Sequence, residues 1–139
     1  MAFKEKSTLA MTGILVLVFG WYFAIVVGEL TRSPVRDVAW AGLMIPVVVG
    51  LVVLAAIAHA AIAISAPSQA GREDERDRSL EQRGAQVGGY VLAAGTVGGL
   101  ALAVVDAPTF WIAQALLAAL VLGEVAKGTT VLALYRWGI

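Results

Sequence analysis

Four stretches of this sequence constrain its fold more than anything else in it: Leu9 to Gly28, Val38 to Ala66, Val87 to Val105 and Phe110 to Tyr135, each almost wholly apolar. About 20 such residues in a helix cross the hydrocarbon core of a bilayer. Backbone polar groups must there be satisfied within the segment itself, which favours helices. The expectation is an all-α membrane protein of one domain, residues 1–139, with transmembrane helices over about 9–28, 38–66, 87–105 and 110–135. A composition that is 60% hydrophobic, with a mean hydropathy of +0.85, lies outside the soluble range and agrees.

What remains outside lipid is two tails and three loops, too little for a soluble catalytic domain. The formal net charge of +0 gives no case for a nucleic-acid partner. With no cysteine, disulfides, thiolate nucleophiles and cysteine-ligated clusters are excluded, and no metal or cofactor is expected. Lys4 and Lys6 before the first run give it the look of a secretory signal. The run is longer than a signal core, though, and ends in GWYFAIVVGELTR without an A-x-A cleavage pattern, so it reads as a retained helix.

Lys4, Lys6, Arg72, Arg76, Arg78, Arg83 and Arg136 fall on one side of the four runs, and Arg32 and Arg36 on the other. The positive-inside rule then makes both termini cytoplasmic, in an inner (cytoplasmic) membrane crossed several times. Trp21, Tyr22, Trp40, Phe110 and Trp111 lie towards the outer boundary, and Tyr90, Tyr135 and Trp137 near the inner one. The outer connections, one centred on LTRSPVRD and one at Asp106 to Pro108, are short. Short connections make antiparallel neighbours, so two hairpins packed as a four-helix bundle are expected.

Helix three carries Gly84-x-x-x-Gly88 and Gly95-x-x-x-Gly99 on one stripe. Small residues at this spacing let backbones approach closely, which drives helix association in lipid, within the chain or between copies. In helix two, Pro46 removes a backbone donor and crowds the carbonyl of Gly42, which predicts a kink there. Such kinks occur in membrane helices that transport nothing.

The segment LGEVAKG places Glu124 and Lys127 inside the last apolar run. Continuous helix from Phe110 to Tyr135 is about 37 Å long, which sets Glu124 about 16 Å and Lys127 about 12 Å from Tyr135. Their spacing of three puts them on one face, close enough to pair. A lone charge near the bilayer centre costs about 2.5 to 3.5 kcal/mol, so a pair turned towards the other helices is expected. His59, about 10 Å before Ala66, shares that depth. Tyr90 can reach the same level, which assembles a candidate cluster of Glu124, Lys127, His59 and Tyr90 with Thr129 and Thr130 below it. Such a cluster is either a binding site for an ion, proton or small polar ligand, or a hydrogen-bonded lock on helix register with Lys127 snorkelling outwards. Gln114 reads as an interhelical hydrogen bonder. Gapless alignment of residues 51–64 with 119–132 sets His59 opposite Lys127 and Ala56 opposite Glu124, a hint of internal duplication that helices one and three do not share.

Between helices two and three, residues 67–86 are charged with alternating sign. Pairs such as Asp74 and Arg78, four apart, suit a solvated extension of helix three with Leu80 and Val87 on its apolar stripe. The acidic group Glu73, Asp74, Glu75 and Asp77 lacks the ligand spacing and turning glycine of a calcium loop. Asp74, Glu75, Arg76, Asp77, Arg78, Glu81 and Arg83 read instead as a solvated face or cytoplasmic docking surface.

FKEKS, GWYF, DERDRSLEQRG, GGYVLAAG and GEVAKGTTVLALYRWG together resemble a group of small prokaryotic membrane proteins known only as a domain of unknown function with a D-E-R-D loop. The resemblance spans nearly the whole chain and implies a multi-pass membrane protein, with no activity to carry over. Members tend to have a glutamate shortly before a Gly-His pair in helix two. Here the stretch before His59 is Ala55-Ala56-Ile57-Ala58, without glutamate and with Ala56 opposite Glu124, which weakens any symmetric two-carboxylate ion site.

No serine lies beside a base, no metal ligand set recurs and no phosphate loop is present, so an enzyme is the least supported class. The sequence points to a non-catalytic membrane module that associates with itself as a homo-oligomer or serves as an accessory subunit of a larger membrane complex. The alternative is an oligomeric small-ion or proton transporter built on Glu124, Lys127 and His59.

Overall fold

The computed structural model describes residues 3–65 and 75–138. Its regular elements are all helical: α1, Phe3–Leu30; a short 3-10 turn, Val35–Asp37; α2, Trp40–Ser65; α3, Glu75–Val104; and α4, Thr109–Trp137. Three spans, Glu5–Leu30, Glu75–Val104 and Thr109–Trp137, are long and apolar enough to cross a membrane. In α2 the apolar stretch among described residues, Trp40–Val53, is shorter, so three of the four expected crossings meet that criterion.

The ends of these helices follow from local chemistry. At the close of α1 the Thr31 hydroxyl donates to the Gly28 carbonyl at 2.7 Å, and the Ser33 amide donates to the Glu29 carbonyl at 2.9 Å. Pro34 follows, with no amide to continue the ladder and a fixed φ of −59° that starts the 3-10 turn. Helix α2 continues through Gly42 and Pro46.

The connection from α3 to α4 turns on Asp106, whose φ of 52° is left-handed. The Ala107 amide donates to Leu102 at 3.0 Å and the Asp106 amide to Ala103 at 3.2 Å, the paired bonds of a Schellman cap. Aspartate tolerates this conformation better than most residues, although glycine is the usual occupant. At the other end of α4 glycine does take the role: Gly138, at φ 67°, donates to the Leu134 carbonyl.

Helix α3 starts at Glu75, well before the expected boundary at Val87, so much of the charged stretch 67–86 is its solvated first turns. Glu75 and Asp77 lie in the first turn, where carboxylates complement the positive end of the helix dipole. Of the two residues expected on its apolar stripe, Leu80 is buried and Val87 is exposed. The buried line is Leu80, Gly84, Gly88 and Gly99, and Val87 sits one residue off it.

Helix α4 is the centre of the packing. Gly84 faces Val131, Gly88 faces Gly123 and Lys127, Gly95 faces Ala119, and Gly99 faces Leu116. These partners fall in opposite chain order, so α3 and α4 run antiparallel in close contact. On another face of α4, Gly128 lies against Thr12 and Gln114 against Tyr22, which places α1 antiparallel to α4 as well. Helix α2 has its main contact with α1, and its first residue, Trp40, meets Phe110 of α4 edge to face at 6.1 Å.

The core lies at the end of the molecule that carries the two tight connections. It comprises Phe19, Tyr22, Val26, Val38, Phe110, Leu117 and Val121, with Trp40, Leu43, Val47 and Leu51 of α2 packed on it. Beyond Leu51 the described α2 side chains, Val52, Val53, Ala56, Ile57, Ala60 and Ile64, are all exposed. Among the described side chains of α2, those that pack on the core lie before Val52. On α4 the packing runs on past Val121 through Val125, Gly128 and Val131, and Glu124 lies among them on an exposed strip.

Candidate functional site

Helix α4 brings Glu124 and Lys127 together as their spacing predicts, with Lys127 Nζ 3.9 Å from Glu124 Oε2. That is an ion pair by proximity, too long for a direct hydrogen bond. Gly123 is the midpoint of the 29-residue α4, and Glu124 follows it directly. Both side chains are nonetheless open, 57% exposed for Glu124 and 46% for Lys127.

The surrounding contacts explain the geometry. Ala119, Gly123, Lys127 and Val131 face α3, whereas Gln114 and Gly128 face α1. At about 100° per residue, Glu124 falls in the sector between those two faces. It is open there rather than covered by the other helices, and the described α2 side chains beyond Leu51 are exposed as well. Lys127 is held differently. Its backbone carbonyl and the base of its side chain lie over Gly84 and Gly88, where an added Cβ on Gly88 would meet Lys127 Cβ at 3.0 Å. Only the end of the lysine is free to swing.

Of the remaining cluster members, those whose side chains the structure describes are partnered elsewhere or stand apart from this pair. Tyr90 is 68% exposed and shares a 3.2 Å hydrogen bond with Gln86 of its own helix. Two residues from Gly88, it points about 200° away from the seam with α4, so α3 does not carry it to Glu124. Thr129 turns its hydroxyl back to the Val125 carbonyl at 2.8 Å, a bond within α4. Thr130 is half-buried and belongs to no such group among the described contacts. His59 is on α2, and its side chain lies outside the described residues.

The four glycines read as helix-packing residues, Gly84, Gly88, Gly95 and Gly99, all lie in the α3–α4 seam. An added Cβ would stand 2.6 Å from the Gly123 carbonyl oxygen at Gly88 and 2.7 Å from Leu116 Cδ2 at Gly99, and at Gly95 it would collide with Ala119. Gly89 and Gly98, outside the stripe, have open space. The glycine stripe is thus used within the chain.

In the charged segment, Glu75, Arg76, Arg78, Glu81 and Arg83 are exposed and Asp77 is half-buried, while Asp74 lies outside the described residues. Asp77 is tied down: the Tyr135 hydroxyl donates to its Oδ1 at 2.7 Å, joining the first turn of α3 to the last turns of α4. Among the described residues no group of three His, Asp or Glu side chains converges to hold a metal.

Two features escaped the sequence. Tyr22, which reads as an outer-boundary aromatic, is fully buried and paired with Gln114. Glu5 is buried at 9% near the start of α1. Residues 14–27 of α1 are apolar on nearly every face, so no periodicity marked the first, and nothing in the sequence marked the second.

These helices define an all-helical protein with spans of membrane-crossing length. Compared with family profiles, curated proteins and solved structures, the chain matches none.

Proposed function

We propose that this is a non-catalytic integral membrane module whose work is assembly with copies of itself, rather than chemistry or transport by a single chain. In this reading α2 is the fourth crossing, the helices form two antiparallel hairpins, and both termini and the charged start of α3 face the cytoplasm by the positive-inside rule. The membrane is the inner one, and the D-E-R-D family likeness belongs to the same proposal.

One observation carries the reading: a carboxylate next to the midpoint of a membrane-length helix is 57% exposed in the isolated chain. Facing lipid, such a group costs about 2.5 to 3.5 kcal/mol, and cover from another polypeptide removes much of that penalty. The glycine stripe does not supply the contact, because α4 of the same chain occupies it.

Purification in mild detergent, followed by the native mass of the assembly and identification of whatever accompanies it, tests the proposal. A homo-oligomer of fixed stoichiometry is expected. A monomer bound to a larger complex makes the chain an accessory subunit, and a monomer alone overturns the reading.

The same open Glu124 also supports a second reading, a small-ion or proton pathway formed by an oligomer. Glu124→Gln separates the two. An assembly contact loses association, whereas a pathway keeps its assembly and loses pH-dependent or cation-dependent flux.

A further inference from the structure

Resting on the proposal of self-assembly, we infer that the occupant of the open Glu124 sector is a second copy of this chain, joined about a two-fold axis by reciprocal pairs between Glu124 of each copy and Lys127 of the other. Three observations converge on this. Glu124 lies beside the midpoint of α4 and is exposed, so it meets lipid unless something polar covers it. The exposed stripe Leu120, Glu124, Lys127 is continuous on α4, with α3 on one flank and α1 on the other, and the described α2 side chains beyond Leu51 are exposed. Most directly, the stripe is complementary to itself: each copy offers one acid and one base, three residues apart, whose own pairing at 3.9 Å leaves donors and acceptors unused.

A two-fold contact is isologous, so residue i of one copy meets residue j of the other and the reverse. Copies inserted with the same topology are related by an axis along the membrane normal, so their α4 helices run parallel, and an acid and a base three residues apart on each satisfy that condition with two ion pairs in place of two lipid-facing charges. The Lys127 stem is already fixed over Gly84 and Gly88, which limits the ordering cost of presenting its ammonium group. Leu120 supplies the apolar contact one turn away.

The test uses two full-length variants. Glu124→Lys gives a chain with two bases in the stripe, and Lys127→Glu gives one with two acids. Each alone is expected to lose at least tenfold in self-association, measured by energy transfer between labelled copies in detergent or vesicles. Co-reconstituted, the two are expected to regain association, as a mixed pair only, and that recovery also demonstrates that both chains fold. The neutral variants Glu124→Gln and Lys127→Met are expected to weaken association by smaller factors without a mixed rescue. If the native chain associates but neither single variant weakens and no mixed preference arises, the interface lies elsewhere and this inference fails while self-assembly stands. If the native chain does not associate at all, both fail together.

Discussion

Tyr22 of α1 and Gln114 of α4 hold one another inside the protein. Gln114 Nε2 donates to the tyrosine hydroxyl at 2.9 Å, and that hydroxyl lies 3.2 Å from Gln114 Oε1 as a donor in return. Tyr22 has no exposed surface and Gln114 only 8%. Of the polar residues in the spans, this pair alone joins two helices through a buried bond among the described contacts.

Removing one partner leaves the other buried without its bond, which costs about 1–3 kcal/mol. Tyr22→Phe and Gln114→Leu are each expected to destabilise by that amount in reversible denaturation from detergent. The double variant is expected to be less damaged than the sum, because no orphaned group remains. Strict additivity would show that the bond contributes nothing.

The α3–α4 seam predicts a contrast between glycines of the same helix. Gly95→Ala drives a methyl group into Ala119 and should destabilise by about 1–3 kcal/mol, the usual cost of overpacking. Gly89→Ala, into open space, should stabilise by about 0.5–1 kcal/mol through the better helix propensity of alanine. Equal effects at the two positions, in the same unfolding assay, would contradict the seam.

Asp106 occupies the left-handed cap between α3 and α4. A left-handed conformation costs an ordinary L-residue about 1–2 kcal/mol, and glycine escapes it. Asp106→Gly is therefore expected to raise the unfolding midpoint, and Asp106→Val to lower it.

The bond from Tyr135 to Asp77 anchors the first turns of α3. Its loss in Tyr135→Phe should cost about 0.5–1.5 kcal/mol locally. Hydrogen exchange is expected to quicken at residues 78–82 and to stay unchanged around Gly95; faster exchange throughout α3 would mean that the bond supports the whole helix.

How much of this was legible beforehand depends on the kind of interaction. The helices could be read because a run of some twenty apolar residues admits few other folds in lipid. The glycine stripe could be read because its spacing is a local pattern, and Glu124 with Lys127 because they are three apart on one helix. Tyr90 and Tyr22 could not be placed. Each depends on which way a helix is turned in the assembled fold, and the hydrophobic periodicity that reports such rotation in soluble proteins is nearly absent when all faces are apolar. The extension of α3 back to Glu75 could be read from charges four apart in its first turns, whereas the apolar run alone marks only where lipid begins. The exposure of Glu124 depends on how the helices around it pack, a tertiary fact with no local signal.

The most direct test of self-assembly through the Glu124 face exploits the absence of cysteine from the chain. Single cysteines are introduced at Leu120, in the exposed stripe with Glu124, and at Leu122, which is exposed on a different side of α4. Oxidation in native membranes is expected to yield a covalent dimer from Leu120→Cys and little from Leu122→Cys. Equal yields at both positions, or a dimer from Leu122→Cys alone, would contradict the account.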